Sequence, residues 1–162
     1  MTSNDLNSQF RSLMNGQLAR HEQIVQDAVA NILKTPVPED VKILVFETQS
    51  NWYTIPIVAF SMDDASADET YFGETFSGFL IDGGGPELVA QDAIDQDKFE
   101  DGGIDTFGIT HEILAEWFAS IWRKSGGDGF TRRAYIGSHD RDVFIDLRSG
   151  KQCTSSDIWP VE

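Results

Sequence analysis

Residues Val41–Thr48 (VKILVFET) put apolar side chains on both faces of an extended strand: Val41, Ile43 and Val45 on one, Leu44 and Phe46 on the other. A strand with one wet face would alternate apolar and polar residues. This one is expected inside a sheet, covered on both sides, with a helix layer as the natural cover. That requirement sets what the rest of the chain must supply.

Two stretches have the pattern for that layer. From Asp5 to Lys34, Leu6, Phe10, Leu13, Leu18, His21, Ile24, Val25, Ala28, Val29, Ile32 and Leu33 roughly follow the three-and-four spacing of one helical face. Ser3 and Asn4 are N-cap types, and Pro36 and Pro38 end the segment. Gly16 predicts a kink or a division into two shorter helices. The second stretch, about 109–124, carries Ile109, Ile113, Leu114, Trp117, Phe118, Ile121 and Trp122 as a wide apolar stripe. Thr110 is its expected N-cap, Arg123 and Lys124 complement its C-terminal dipole, and Gly126 or Gly127 closes it.

The remaining pattern is β. Trp52–Met62 reads as a strand antiparallel to Val41–Thr48, bulged or at an edge at Pro56. Thr70–Ile81 is a third strand region, and Gly83–Gly85 turns into a short helix from Glu87 to about Ile94. Residues 95–105 read as loop. Arg132–Ser138 and Val143–Leu147 form a closing hairpin about a turn at His139–Asp142, and Trp159 is expected to dock. The predicted fold is α+β: one domain spanning 1–162, with an antiparallel sheet of about four to five strands under a long N-terminal helix and the 109–124 helix.

Charge is unevenly placed. Residues 63–105 hold thirteen acids against one base, Lys98, and carry −12 of the formal −15, while both flanks are nearly neutral. A field of that sign repels nucleic acid and anionic lipid and attracts basic proteins or cations. Hydrophobic residues make up 40% of the chain, with eleven Phe and four Trp. That is too much apolar mass for a disordered acidic tail. Cys153 is the single cysteine, so no disulfide forms within the chain. Met1–Leu13 lacks the basic and apolar regions of a signal peptide, and no window is long enough to span a membrane. A cytoplasmic location is expected.

No motif specifies a cofactor or a catalytic centre. Asp82-Gly83-Gly84-Gly85-Pro86 matches neither phosphate-loop pattern, and Asp82 would repel phosphate. His111-Glu112 lacks the second histidine of a zinc-protease helix, since Ala115 stands at that position. His111 and Glu112 are expected on the solvent face of a first helical turn. Asp95 and Asp97 begin a calcium-loop spacing, but Phe99 and Glu100 break it. His139-Asp140 sits on a turn where neighbours point apart. Cys153 reads as a half-buried structural thiol.

The reading that follows is a non-enzymatic interaction domain without a cofactor. Its expected contact residues are Asp63, Asp64, Asp68, Glu69, Asp92, Asp95, Asp97, Glu100, Asp101 and Asp105, and its partner is a basic protein. In size and charge alone the chain is similar to bacterial immunity proteins and toxin inhibitors. Bases gathered late in the chain, Arg132 to Lys151, also allow association into a homodimer. The alternatives are a small hydrolase using His111, His139 and nearby carboxylates, or a weak divalent-cation site among the 92–105 acids.

Overall fold

The computed structural model describes residues 3–49, 57–63, 78–81 and 94–159. The chain opens with α1 (Ser3–Ala19), which buries Leu6, Phe10, Met14 and Leu18, one residue per turn. Helix α2 (Glu22–Lys34) buries Val25, Val29 and Ile32. The division between them falls at Arg20–His21, whose amides bond to the Gln17 and Leu18 carbonyls. Gly16 stays helical within α1.

Six strands follow, interrupted by helices. They are β1 (Ile43–Thr48), β2 (Ile57–Met62), β3 (Gly78–Phe79), β4 (Arg133–Ser138), β5 (Arg141–Asp146) and β6 (Gln152–Cys153). Helices α3 (Gln96–Asp101) and α4 (Thr106–Lys124) lie between β3 and β4, and α5 (Ser155–Ile158) ends the described chain. The strands form one sheet in the order β3-β2-β1-β4-β5-β6. Strand β1 runs antiparallel to β2 and parallel to β4, with Phe46 opposite Ala59 on one side and Ile136 on the other. It is central, as its two apolar faces require.

The sheet therefore departs from the antiparallel sheet of four or five strands that the sequence predicts: among the described residues it has six strands and is mixed. Parallel neighbours cannot be joined by a tight turn and need a long crossover. Here the crossover includes β2, β3, α3 and α4, so nothing local to β1 or β4 reports that they pair. Strands β3 and β6 have two residues each, too few for alternation to register. Two further expectations shift. The 95–105 stretch contains α3, capped by Asp95, whose side chain accepts from the Lys98 amide. Helix α4 begins earlier than expected, with Asp105 rather than Thr110 as its N-cap. Thr110 lies inside the helix and donates its hydroxyl to the Thr106 carbonyl. The expected strand at 52–62 and strand region at 70–81 are described only as β2 and β3, and the expected helix at 87–94 lies almost wholly outside the described residues.

Helix α4 packs on β4, β1 and β5, with α1 and α2 alongside it. Phe46 projects from β1 into this layer, its ring 4.7 Å from Phe118 and 5.6 Å from Trp122, and Trp122 meets Phe130 edge-on. A Cβ at Gly127 would collide with the Trp122 indole, so the turn after α4 needs glycine to approach this closely. The other face of the sheet buries Ile43, Val45, Tyr135 and Phe144 beneath Ile158 of α5, with Trp159 packed beside them. Among the described residues, no helix is long and apolar enough to cross a membrane.

Phe46→Ala removes the ring that joins sheet to helix layer. It should lower stability by about 3–5 kcal/mol, measured by urea unfolding followed by tryptophan fluorescence.

Candidate functional site

Two neighbouring features carry the polar chemistry of the described surface: the acidic corner between α3 and α4, and a cleft beside α4. At the corner, Asp95, Asp97, Glu100, Asp101 and Asp105 are all exposed. Phe99, Ile94 and Ile104 point inward and anchor the segment, with Phe99 edge-on to Phe10 of α1.

Three of these acids have local structural roles. Asp95 caps α3. Glu100 accepts the Thr106 hydroxyl at 2.8 Å. Asp105 caps α4 through the Gly108 amide and pairs with Arg141 at 3.0 Å. Gly108 makes room for that pair, since a Cβ there would collide with the Arg141 guanidinium and the Asp105 carboxylate. Asp97 and Asp101, one helical turn apart, make no hydrogen bond or ion pair with described residues and face solvent.

Asp63 lies elsewhere. It follows Met62, which pairs with Ile43 at the start of β1, whereas the start of α4 lies over Thr48 at its end. Five residue steps along a strand separate those ends by about 17 Å. Asp64, Asp68, Glu69 and Asp92 lie outside the described residues, as do Trp52, Tyr53 and the segment Asp82–Pro86.

The cleft has a volume of about 260 Å³ and lies between α4 and the outer strands of the sheet. Its helix side is His111, Glu112, Ala115 and Glu116. Its sheet side includes Ile136 and Ser138 of β4 and Arg141, Val143 and Ile145 of β5. It exists because α4 covers β1 and β4 but leaves the outer part of β5 open, so that Val143 is 48% exposed.

His111 is buried, contrary to the expected solvent face. It continues the α4 stripe through Leu114, Ala115, Phe118 and Trp122, a spacing visible in the sequence once the histidine is counted with the apolar residues. Its Nδ1 lies 2.5 Å from the Thr48 hydroxyl, and Thr48 donates to the Gly137 carbonyl at 3.3 Å. A hydroxyl has one proton to give. With that proton on Gly137, the imidazole donates from Nδ1 and Nε2 is left as its acceptor. Burial holds the His111 pKa below the ordinary 6.5; Arg141 acts in the same sense, and Asp140 and Asp105 oppose it. Burial thus favours the neutral ring. Ser138 is 6% exposed and its Oγ has no hydrogen-bond partner among the described residues. Alternation along β4 signals it, since Ala134 and Ile136 enter the helix-side core.

His139 stands apart from this cleft. Its Nδ1 bonds to Glu47 at 3.0 Å, while His111 bonds to Thr48. Adjacent strand residues point to opposite faces, so the two histidines flank the sheet and do not converge on one site. The hydrogen bond and charge of Glu47 raise the His139 pKa. The Cys153 thiol is pushed up by burial and by Asp146, which leaves it protonated and a poor nucleophile. Among the described residues, no group of three or more His, Cys, Asp or Glu is placed to hold a metal ion.

The two histidines should have opposite pH signatures. His111 has a folded pKa below its unfolded value, so its contribution is complete above pH 6.5 and is lost as pH falls through the folded value. His139 has a raised folded pKa, so its contribution is complete below pH 6.5 and is lost as pH rises through the folded value. Melting curves from pH 8 to 5 for the wild type, His111→Gln and His139→Gln should separate the two: each difference from wild type should change with pH in the opposite direction. Thr48→Val, which strips His111 of its partner, should cost about 1–3 kcal/mol at pH 7 in urea unfolding. Comparison with known protein families, with curated protein sequences and with solved structures finds no match to this chain.

Proposed function

We propose that this chain is a non-enzymatic interaction domain of the inhibitor or immunity type, which binds a basic partner protein through its acidic region. The observation that carries the reading is the α3–α4 corner. Five acids lie within eleven residues, all exposed, on a segment fastened to the core by Ile94, Phe99 and Ile104. Asp97 and Asp101 are held on a capped helix, so their charges are presented in a fixed arrangement. Preorganised charge of one sign speeds encounter with an oppositely charged surface and rejects acidic competitors.

The separation of His111 from His139 supports this reading over the hydrolase alternative. The hydroxyl bonded to His111 is that of Thr48, which is fully buried and donates to the Gly137 carbonyl. For a cation site, Asp95, Glu100 and Asp105 spend carboxylate oxygens on caps and on Thr106.

The test separates charge from fold. Asp97→Asn with Asp101→Asn removes two charges and no cap, so stability should stay within about 0.5 kcal/mol. Partners retained from a lysate and released by a salt step supply the binding protein. Its association rate with the double variant should fall roughly three- to tenfold at low salt, with a flatter salt dependence. Equal rates for wild type and variant at every salt concentration would remove the α3 surface from recognition.

A further inference from the structure

We infer that the cleft beside α4 is an anchoring pocket for an arginine side chain of the basic partner, with Glu116 and Ser138 as the groups that hold its guanidinium. This rests on the reading of the chain as a binder of a basic protein, and it adds the place and chemistry of the anchor.

Three observations narrow the occupant. The first is charge. Arg141 at the cleft wall is neutralised by Asp105 at 3.0 Å, and Glu112 by Arg11 at 2.9 Å. Glu116 is then the charged lining residue without an ion pair among the described residues. An anion entering here would meet Glu116 and an arginine already engaged. The second is the stranded hydroxyl. Ser138 is more than nine-tenths buried, lines the cleft, and has no hydrogen-bond partner among the described residues. A buried hydroxyl left without a hydrogen bond is costly. A purely apolar occupant would make that worse and would desolvate Glu116 as well. The third is shape. Ala115, Val143 and Ile145 give the cleft apolar walls, suited to the methylene stem of a long cationic side chain whose head stays polar.

Arginine fits these demands better than lysine. Its guanidinium carries five donors and no acceptor in a planar fork, so it can pair with a carboxylate and still donate to a second oxygen. Glu116 offers the carboxylate, and Ser138 offers the second oxygen. Asp105 and Asp140 stand near the His111 end, close enough to act on that ring. Asp105 also terminates the α3–α4 acidic segment. An arginine in the cleft would therefore lie next to the surface that draws its protein in.

The experiment is an NMR titration of the full chain with four probes: Nα-acetyl-arginine amide, Nα-acetyl-lysine amide, Nα-acetyl-norleucine amide and a hexa-arginine peptide. The arginine amide should move the amide resonances of Glu116, Val143 and Ile145, and the norleucine amide should not. Glu116→Gln should weaken the arginine amide roughly tenfold, and Ser138→Ala should erase the preference for arginine over the lysine amide while keeping the folded spectrum. Equal shifts with norleucine, or shifts that persist unchanged in Glu116→Gln, overturn the pocket. If hexa-arginine moves only Asp97–Asp101, the acidic surface stands and the cleft falls. If it moves nothing, both fall. Cleft resonances that shift with protein concentration alone assign the cleft to a second copy of the chain and overturn the proposal.

Discussion

Parallel and adjacent, β1 and β4 put Leu44, Phe46, Ala134 and Ile136 on one apolar surface, and the chain must return across that surface to join them. A parallel pair demands a crossover, and a crossover over an apolar surface is most cheaply a helix. Helix α4 is the part of the crossover that meets the sheet. It is buried on most sides because it sits between the sheet and α1 and α2, and ion pairs tie it to both helices: Arg11 to Glu112 near its start, Lys124 to Glu22 at its end. Exposed pairs of this kind add little energy. The aromatic contacts of Phe46 with Phe118 and Trp122 carry the packing.

The polar surface follows from that placement. The N-terminal end of α4 reaches the end of β1, which brings Asp105 to Arg141 and His111 to Thr48. The same helix leaves the outer part of β5 open, and that strip becomes the wall of the cleft. The acidic corner and the cleft are thus neighbours because one helix begins at the first and borders the second.

Much of this was legible residue by residue. The two apolar faces of Val41–Thr48 identified a central strand, and the stripe from Ile113 to Trp122 identified α4. The β4–β5 hairpin followed from alternation, although its turn is only His139–Asp140 and β5 begins at Arg141, two residues before the expected Val143. What stayed hidden was non-local or was masked by residue type. The β1–β4 pairing leaves no trace in either strand. The acids at 95–105 looked like solvated loop, and only the structure shows that Asp95 and Asp105 are helix caps. His111 was set with the polar residues because of its side chain, although its spacing belongs to the buried stripe. Ser138 was hidden in the same way at the end of an apolar alternation in β4. In both cases position carried more information than polarity, and both residues line the cleft.

The far side of the sheet closes with a strand of only two residues. Strand β6 pairs with Phe144 and Ile145 of β5, and the part of β5 it leaves uncovered begins with the charged Arg141 and Asp142. Asp142 also accepts the Ser155 amide at 2.7 Å, drawing the chain back against that edge. Short, charged edges are poor templates for adding a foreign strand. Contacts made on this side therefore fall to side chains rather than to backbone ladders. The proposed arginine would then be received by side chains, beside an edge that offers no long ladder to a second strand.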